Sequence, residues 1–113
     1  MARKNTLTTA PPYAVEKALH RLGANLRIAR LRRNLTIEDV AEKIGTGRRA
    51  VMDAEKGKGS TSSAVYIALL WTYDLLDQIR DTADPALDIE GLNLSLSKER
   101  ARARVTGGLD NEF

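Results

Sequence analysis

The sequence contains no cysteine, a single histidine, three prolines and few aromatics: one Trp, three Tyr and one Phe in 113 residues. Without cysteine there is neither a disulfide framework nor a thiolate metal site, and the chain fits a reducing compartment. Few prolines in an Ala- and Leu-rich sequence favour helix. With aromatics at 4%, aliphatic side chains and alanine must fill the core. No stretch approaches the ~20 continuous apolar residues that cross a bilayer, and the first twelve residues are polar, without the apolar middle of a secretory signal. These absences set the expectation of a cytoplasmic protein with no membrane partner. At this length one domain and one core are expected, with a tail at each end.

Charge is present in both signs but unevenly placed. Residues 1–33 hold eight Lys or Arg against Glu16 alone, and residues 34–59 hold five of each sign. Residues 60–97 hold six acids against Arg80, and residues 98–113 return to a net +1. A basic end and an acidic end polarise the chain toward a polyanion on one side. Solvation of a long helix accounts for the same arginines, so charge alone decides nothing.

Residues 1–12 lack periodicity and read as a flexible N-terminal arm. Pro11-Pro12 then opens a helix over 13–33, in which Val15, Leu19, Leu22 and Leu26 recur at steps of four and three, with Ile28, Leu31 and Leu35 continuing the burial. Gly23 lies inside it, and a break there into two helices is the alternative. Thr36 is placed to cap a helix over 37–44, with Asp39 reaching back as an acidic capping box. Ile37, Val40, Ala41 and Ile44 form its apolar stripe, and Gly45 ends it. Thr46 is placed to cap a third helix, over 47–56, whose only core residues are Val51 and Ala54. A fourth helix starts at Thr61 or Ser62 and carries the stripe Ala64, Ile67, Ala68, Trp71 and Leu75. A short fifth helix runs over 74–79, and Asp84-Pro85 breaks the chain. Residues 88–96 alternate weakly through Ile89, Leu92, Leu94 and Leu96, which suggests a short strand or a partner-docking segment. Residues 98–113, Arg- and Gly-rich, read as a loose tail.

The stretch from 31 to 57 carries the most information. Two short helices joined by a turn built on one glycine make a helix-turn-helix. Steep crossing needs a small residue at the contact, which Ala41 provides, and a tight reversal needs Gly45. The second of the two helices sets Val51 and Ala54 against a polar outer face of Arg48, Arg49 and Asp53.

The run "LRIARLRRNLTIEDVAEKIGTGRRAVMDAEKG", residues 26–57, resembles the Cro/C1-type (XRE-type) repressor domain, and the likeness extends over 22–81. It implies an all-α, five-helix, lambda-repressor-like domain over 13–82, with a C-terminal extension over 83–113, acting on double-stranded DNA as a homodimeric transcriptional repressor. It places Gly47, Arg48, Arg49 and Asp53 at base edges; either arginine can donate two hydrogen bonds to guanine O6 and N7, and Asp53 can either accept from a cytosine amino group or repel phosphate and so narrow where the helix sits. Gly47 and Asp53 depart from the uncharged polar residues usual there. Thr36 and Ile37 at one helix start, Thr46 at the next, and Lys43, Lys56 and Lys58 are placed at phosphates. Arg30 and Glu55 are implied as an inward, structural ion pair. Trp71, Leu75, Leu76 and Ile79 are assigned to the core or a dimer contact.

More narrowly, "PPYAVEKALHRLGANLRIARLRR", "ALLWTYDLLDQI" and "LSLSKERARAR" resemble antitoxins that pair with Hip-type serine/threonine kinase toxins. That likeness implies a kinase-type toxin as a partner, docked on the acidic block 74–90 and the apolar segment 89–96. Catalysis finds little support. There is no Gly-rich phosphate loop, no second histidine beside His20 and no Ser in a nucleophile turn. Glu38, Asp39 and Glu42 read as a helix surface. Neither a metal nor a cofactor is expected.

Overall fold

A computed structural model describes residues 5–110, with side-chain surroundings through Thr106. The described chain is helical, with no strand: α1 (Thr6–Thr9), α2 (Tyr13–Arg32), α3 (Ile37–Ile44), α4 (Arg48–Glu55), α5 (Ser63–Thr72), a 3-10 turn (Leu76–Ile79) and α6 (Ile89–Asp110). It divides into two compact units, one ending at Asp77 and the other beginning at Gln78.

In the first unit α2 packs on α4, α3 packs on α4 and α5, and α4 packs on α5. Leu26, Ala29, Val40, Ala41, Val51, Ala54, Tyr66, Leu69 and Tyr73 form the core. Thr36 and Asp39 close a reciprocal capping box: Asp39 N–H donates to Thr36 Oγ1 and Thr36 N–H to Asp39 Oδ2, each at 3.0 Å. The backbone N–H of Thr36, and then its hydroxyl, hold the Asp39 carboxyl below its ordinary range. Gly45 ends α3 at φ 78°, a left-handed position that glycine reaches without strain.

Helix α2 runs unbroken through Gly23, against the alternative of two helices. The glycine marks a crossing. A Cβ at Gly23 would stand 2.6 Å from the Ala54 carbonyl oxygen and 2.7 Å from Gly57 N. A Cβ at Gly57, itself at φ 70°, would stand 2.5 Å from the Leu19 carbonyl oxygen. The backbones of α2 and of the segment leaving α4 touch directly there. Farther along α2, Ile28 and Leu31 are exposed rather than buried, because the core faces only the stripe of Leu26, Ala29 and Arg30.

Helix α5 buries a different face from the one expected. Tyr66, Leu69 and Thr72 point inward, Ala64 is exposed, and Trp71 is 53% exposed. From Ala64 to Trp71 every residue is apolar, so no polar phase marks which side turns outward. Of the two roles expected for Trp71, Leu75, Leu76 and Ile79, core or dimer contact, the core does not hold for Trp71 and Leu76: both are exposed, while Leu75 and Ile79 are half-buried. Tyr73 is the largest fully buried side chain. Arg33 lies over its ring at 5.6 Å and donates from Nη2 to its carbonyl and from Nη1 to that of Ala29, both at 2.9 Å. The expected fifth helix is reduced to the 3-10 turn, since Asp74 at φ 57° interrupts the chain.

Two further expectations are corrected at the ends. Residues 6–9, part of the expected flexible arm, form one helical turn in which Asn5 Oδ1 accepts from Thr8 N–H; residues 1–4 lie outside the described residues. The expected strand and loose tail are one helix, α6; with α1 it brings the α-helices among the described residues to six, four of them, with the 3-10 turn, within residues 13–82. Asp88 Oδ1 accepts from Gly91 N–H at 2.9 Å and caps α6, and Ile89, Leu92 and Leu96 recur at steps of three and four. Leu94, between them, creates the apparent alternation. Residues 111–113, the end of the expected tail, lie outside the described residues. No described helix is long and apolar enough to cross a membrane.

Gly23→Ala is expected to destabilise the first unit by about 2 kcal/mol or more, since the added methyl meets backbone rather than a movable side chain. Gly47→Ser, in open space, is expected to leave stability unchanged or raise it by a few tenths of a kcal/mol (~0.3) as a better cap; chemical denaturation of both variants checks the contrast. Burial, and then the Glu55 carboxylate, push the Tyr73 phenol up to about 12, and its hydroxyl has no protein hydrogen-bond partner. Between the unfolded value of about 10 and that value, the unfolded chain releases a proton that the folded chain keeps. This contribution to stability is therefore complete below pH ~10 and declines by roughly 1.4 kcal/mol per pH unit above it. Thermal melts from pH 8 to 11 are expected to show a shallower alkaline decline for Tyr73→Phe than for wild type, with no loss at neutral pH.

Candidate nucleic-acid interface

The geometry of α3 and α4 follows from their ends. After Ile44, Gly45 N–H donates to Ala41 O and Thr46 N–H also donates to Ala41 O, each at 3.0 Å. The Thr46 amide, expected at a phosphate, is thus committed to closing α3. Gly47, not Thr46, stands at the N-cap of α4, extended at φ −80° and ψ 156°, with no side-chain cap and nothing within 4 Å of an added Cβ. The first turn of α4 holds no acid. Its orphan N–H groups and the positive end of the helix dipole therefore lie open beside Arg48 and Arg49.

Val51 and Ala54 are fully buried on the inner side of α4, while the Arg48 and Arg49 side chains are 64% and 79% exposed. Each arginine has an acidic neighbour. Arg48 Nε lies 3.1 Å from Glu38 Oε1, across the turn in α3. Arg49 Nε lies 3.5 Å from Asp53 Oδ1, one helical turn on, and Lys58 Nζ lies 3.3 Å from the same oxygen. Asp53 is only 21% exposed, so the group proposed to meet a base edge is turned toward two cations of its own chain.

Among the residues expected at phosphates, Thr36 is exposed, and Ile37 and Thr46 are half-buried. The capping box takes the N–H groups of Thr36 and Asp39, leaving those of Ile37 and Glu38 as the open donors of α3. Lys43 is exposed, with Nζ 5.4 Å from the centre of the Trp71 ring. Lys56 is exposed at the end of α4 and borders a shallow groove with Arg27, Met52 and Ile37. Lys58 is fixed at the backbone, its N–H donating to Asp53 O at 3.1 Å and its carbonyl accepting from Tyr66 Oη at 3.0 Å.

Arg30 and Glu55 lie behind this surface, both side chains almost fully buried. Arg30 donates from Nε and Nη2 to the two Glu55 carboxylate oxygens at 2.7 and 3.0 Å, and from Nη1 to Leu35 O at 3.0 Å. The hydrogen bond to Glu55 is the first reason that the Arg30 guanidinium is held above its ordinary range. One side chain so joins α2, the turn before α3 and the end of α4.

A family model for a helix-turn-helix domain matches residues 21–83, more than half of the chain. The chain belongs to this helix-turn-helix domain family. Neither the curated proteins nor the solved structures contain a match to it. In the helix-turn-helix domain seen here, α3 and α4 are the two helices of the motif, and the family supports DNA binding. Sequence reading missed three participants. Glu38, taken as surface, pairs with Arg48; Arg33 anchors Tyr73; and Tyr66 holds the loop at Lys58. The Arg49–Asp53 pair had a visible signal, the i, i+4 spacing of opposite charges.

Glu55→Gln is expected to lower stability by about 3 kcal/mol, because it leaves Arg30 buried without its anion. Replacing both partners, Arg30→Met with Glu55→Leu, is expected to recover most of that loss in the same denaturation assay.

Proposed function

We propose that this chain is a sequence-specific, DNA-binding transcriptional regulator, a repressor that occupies its operator as a homodimer in the cytoplasm. The observation that carries the proposal is the uncapped head of α4, where Arg48 and Arg49 are exposed on a helix whose opposite side is the core. A helix of this kind fits the major groove, and an arginine there can hold guanine in two-point contact. Gly47, Arg48 and Arg49 are the residues assigned to base edges. Thr36, Ile37, Lys43, Lys56 and Lys58 are assigned to phosphates, which set register and salt dependence. A single short helix reads few base pairs, so two copies on half-sites ~34 Å apart gain both affinity and selectivity. The exposed Trp71 and Leu76, with half-buried Leu75 in the same unit, favour a second copy on that side.

A second reading keeps the same DNA-binding module and adds a kinase-type toxin, which the chain neutralises. What favours it is the exposure of Leu87, Ile89, Leu92, Leu94 and Leu96 in the second unit, next to the acids of residues 74–90. Co-purification of the full chain with the product of a neighbouring kinase-type gene tests that reading.

Fluorescence anisotropy against the chain's own upstream DNA and a scrambled duplex, titrated across salt, tests the first. Preference for the upstream duplex is expected, with a steep salt slope. Arg49→Ala is expected to weaken upstream binding by roughly 5- to 100-fold, the range of a lost two-point base contact. Equal, weak binding of the wild type to both duplexes overturns the repressor proposal.

A further inference from the structure

The geometry points to Asp53 as a specificity-determining residue that acts as an internal stand-in for DNA phosphate, holding Arg49 and Lys58 until α4 is seated on its site. The inference rests on the proposed DNA-binding function. Of the two sequence expectations for Asp53, it departs from hydrogen bonding to a base and goes beyond simple repulsion of phosphate, since the carboxylate holds two cations of its own chain.

Three observations converge on it. The Asp53 carboxylate has Arg49 Nε at 3.5 Å and Lys58 Nζ at 3.3 Å, both measured to the same oxygen. That oxygen is buried and has no hydrogen-bond partner of good geometry, so the two cations hold it by charge alone. The cations themselves remain largely open, Arg49 at 79% and Lys58 at 44% exposure, and each side chain can swing to an outside anion. Lys58 is anchored at its backbone by Asp53 O and Tyr66 Oη, so only its ammonium end is free to exchange.

A phosphate that recruits either cation takes it from a half-buried carboxylate, which is then left less compensated. That penalty is full where phosphate attraction is the whole of the affinity, because Arg49 and Lys58 both turn away to the backbone. On the right sequence it is smaller: Arg49 faces Asp53 through Nε, so its terminal nitrogens can meet a base edge while the carboxylate keeps this partner. Asp53 therefore lowers non-specific binding more than specific binding.

The test compares the full chain with Asp53→Asn and with Glu42→Gln, a control that removes the same charge from an exposed position on α3. Each protein is titrated with the upstream duplex and a scrambled duplex across salt, and eluted from heparin, a polyanion without base sequence. Expected for Asp53→Asn is about tenfold tighter binding to the scrambled duplex at 0.1 M salt, with one more phosphate in the salt slope. Expected as well are later elution from heparin and a smaller upstream-to-scrambled ratio, all beyond the Glu42→Gln values. Behaviour equal to Glu42→Gln overturns the proposal, as does loss of upstream binding with scrambled binding unchanged, which assigns Asp53 to a base instead. Absence of any upstream preference in the wild type overturns the underlying function, while the heparin comparison still decides whether Asp53 holds the two cations.

Discussion

Where α2 crosses the segment leaving α4, the two backbones meet with no side chain between them, and Gly23 and Gly57 make that approach possible. Close contact of this kind fixes an angle as well as a distance, because any rotation of one helix drives main-chain atoms together. Beside the crossing, the Arg30 guanidinium spends its donors on Glu55 and on the Leu35 carbonyl, so the end of α4 and the start of the turn into α3 are set by the same group. The direction in which α4 presents its first residues is therefore decided behind it, by two glycines and one buried ion pair.

One helical turn beyond Arg30, the end of α2 is held by a different chemistry. Tyr73 is fully buried, and Arg33 covers its ring and binds its carbonyl. The end of α5 is so tied to the end of α2, leaving Trp71 outside with Lys43 above it. The basic residues of α2 thus serve two purposes: Arg30 and Arg33 work inward as structural groups, while Arg27 and Arg32 remain exposed. A charge tally along the chain does not separate these roles.

What the sequence made legible was local. The capping box at Thr36 and Asp39, the left-handed turn at Gly45, and the burial of Val51 and Ala54 each follow from short-range rules, and each marks its element without tertiary information. The buried face of α5 was not legible, because eight apolar residues in a row carry no phase. Helix α6 was hidden for the opposite reason: its described side chains are nearly all exposed, so no buried stripe stamps its period on the sequence, and Leu94 imitates a strand. At the candidate interface, the exposure of Arg48 and Arg49 was readable from the motif. Their acidic neighbours were not equally so, since Glu38 reaches Arg48 from another helix and Lys58 reaches Asp53 from a loop.

Gly47 lies at the head of α4 in ordinary extended geometry, touching nothing. Nothing in the fold depends on what side chain stands there, and the neighbouring arginines are likewise outside the core. The part of the molecule that would choose a target is thus uncoupled from the part that folds. On the proposed function, a lineage carrying this scaffold can exchange residues 47 and 48 one at a time and change what it recognises without passing through an unfolded ancestor, while Arg49 also answers to Asp53. Diversification at these positions is limited by selection on the target rather than by the demands of the scaffold.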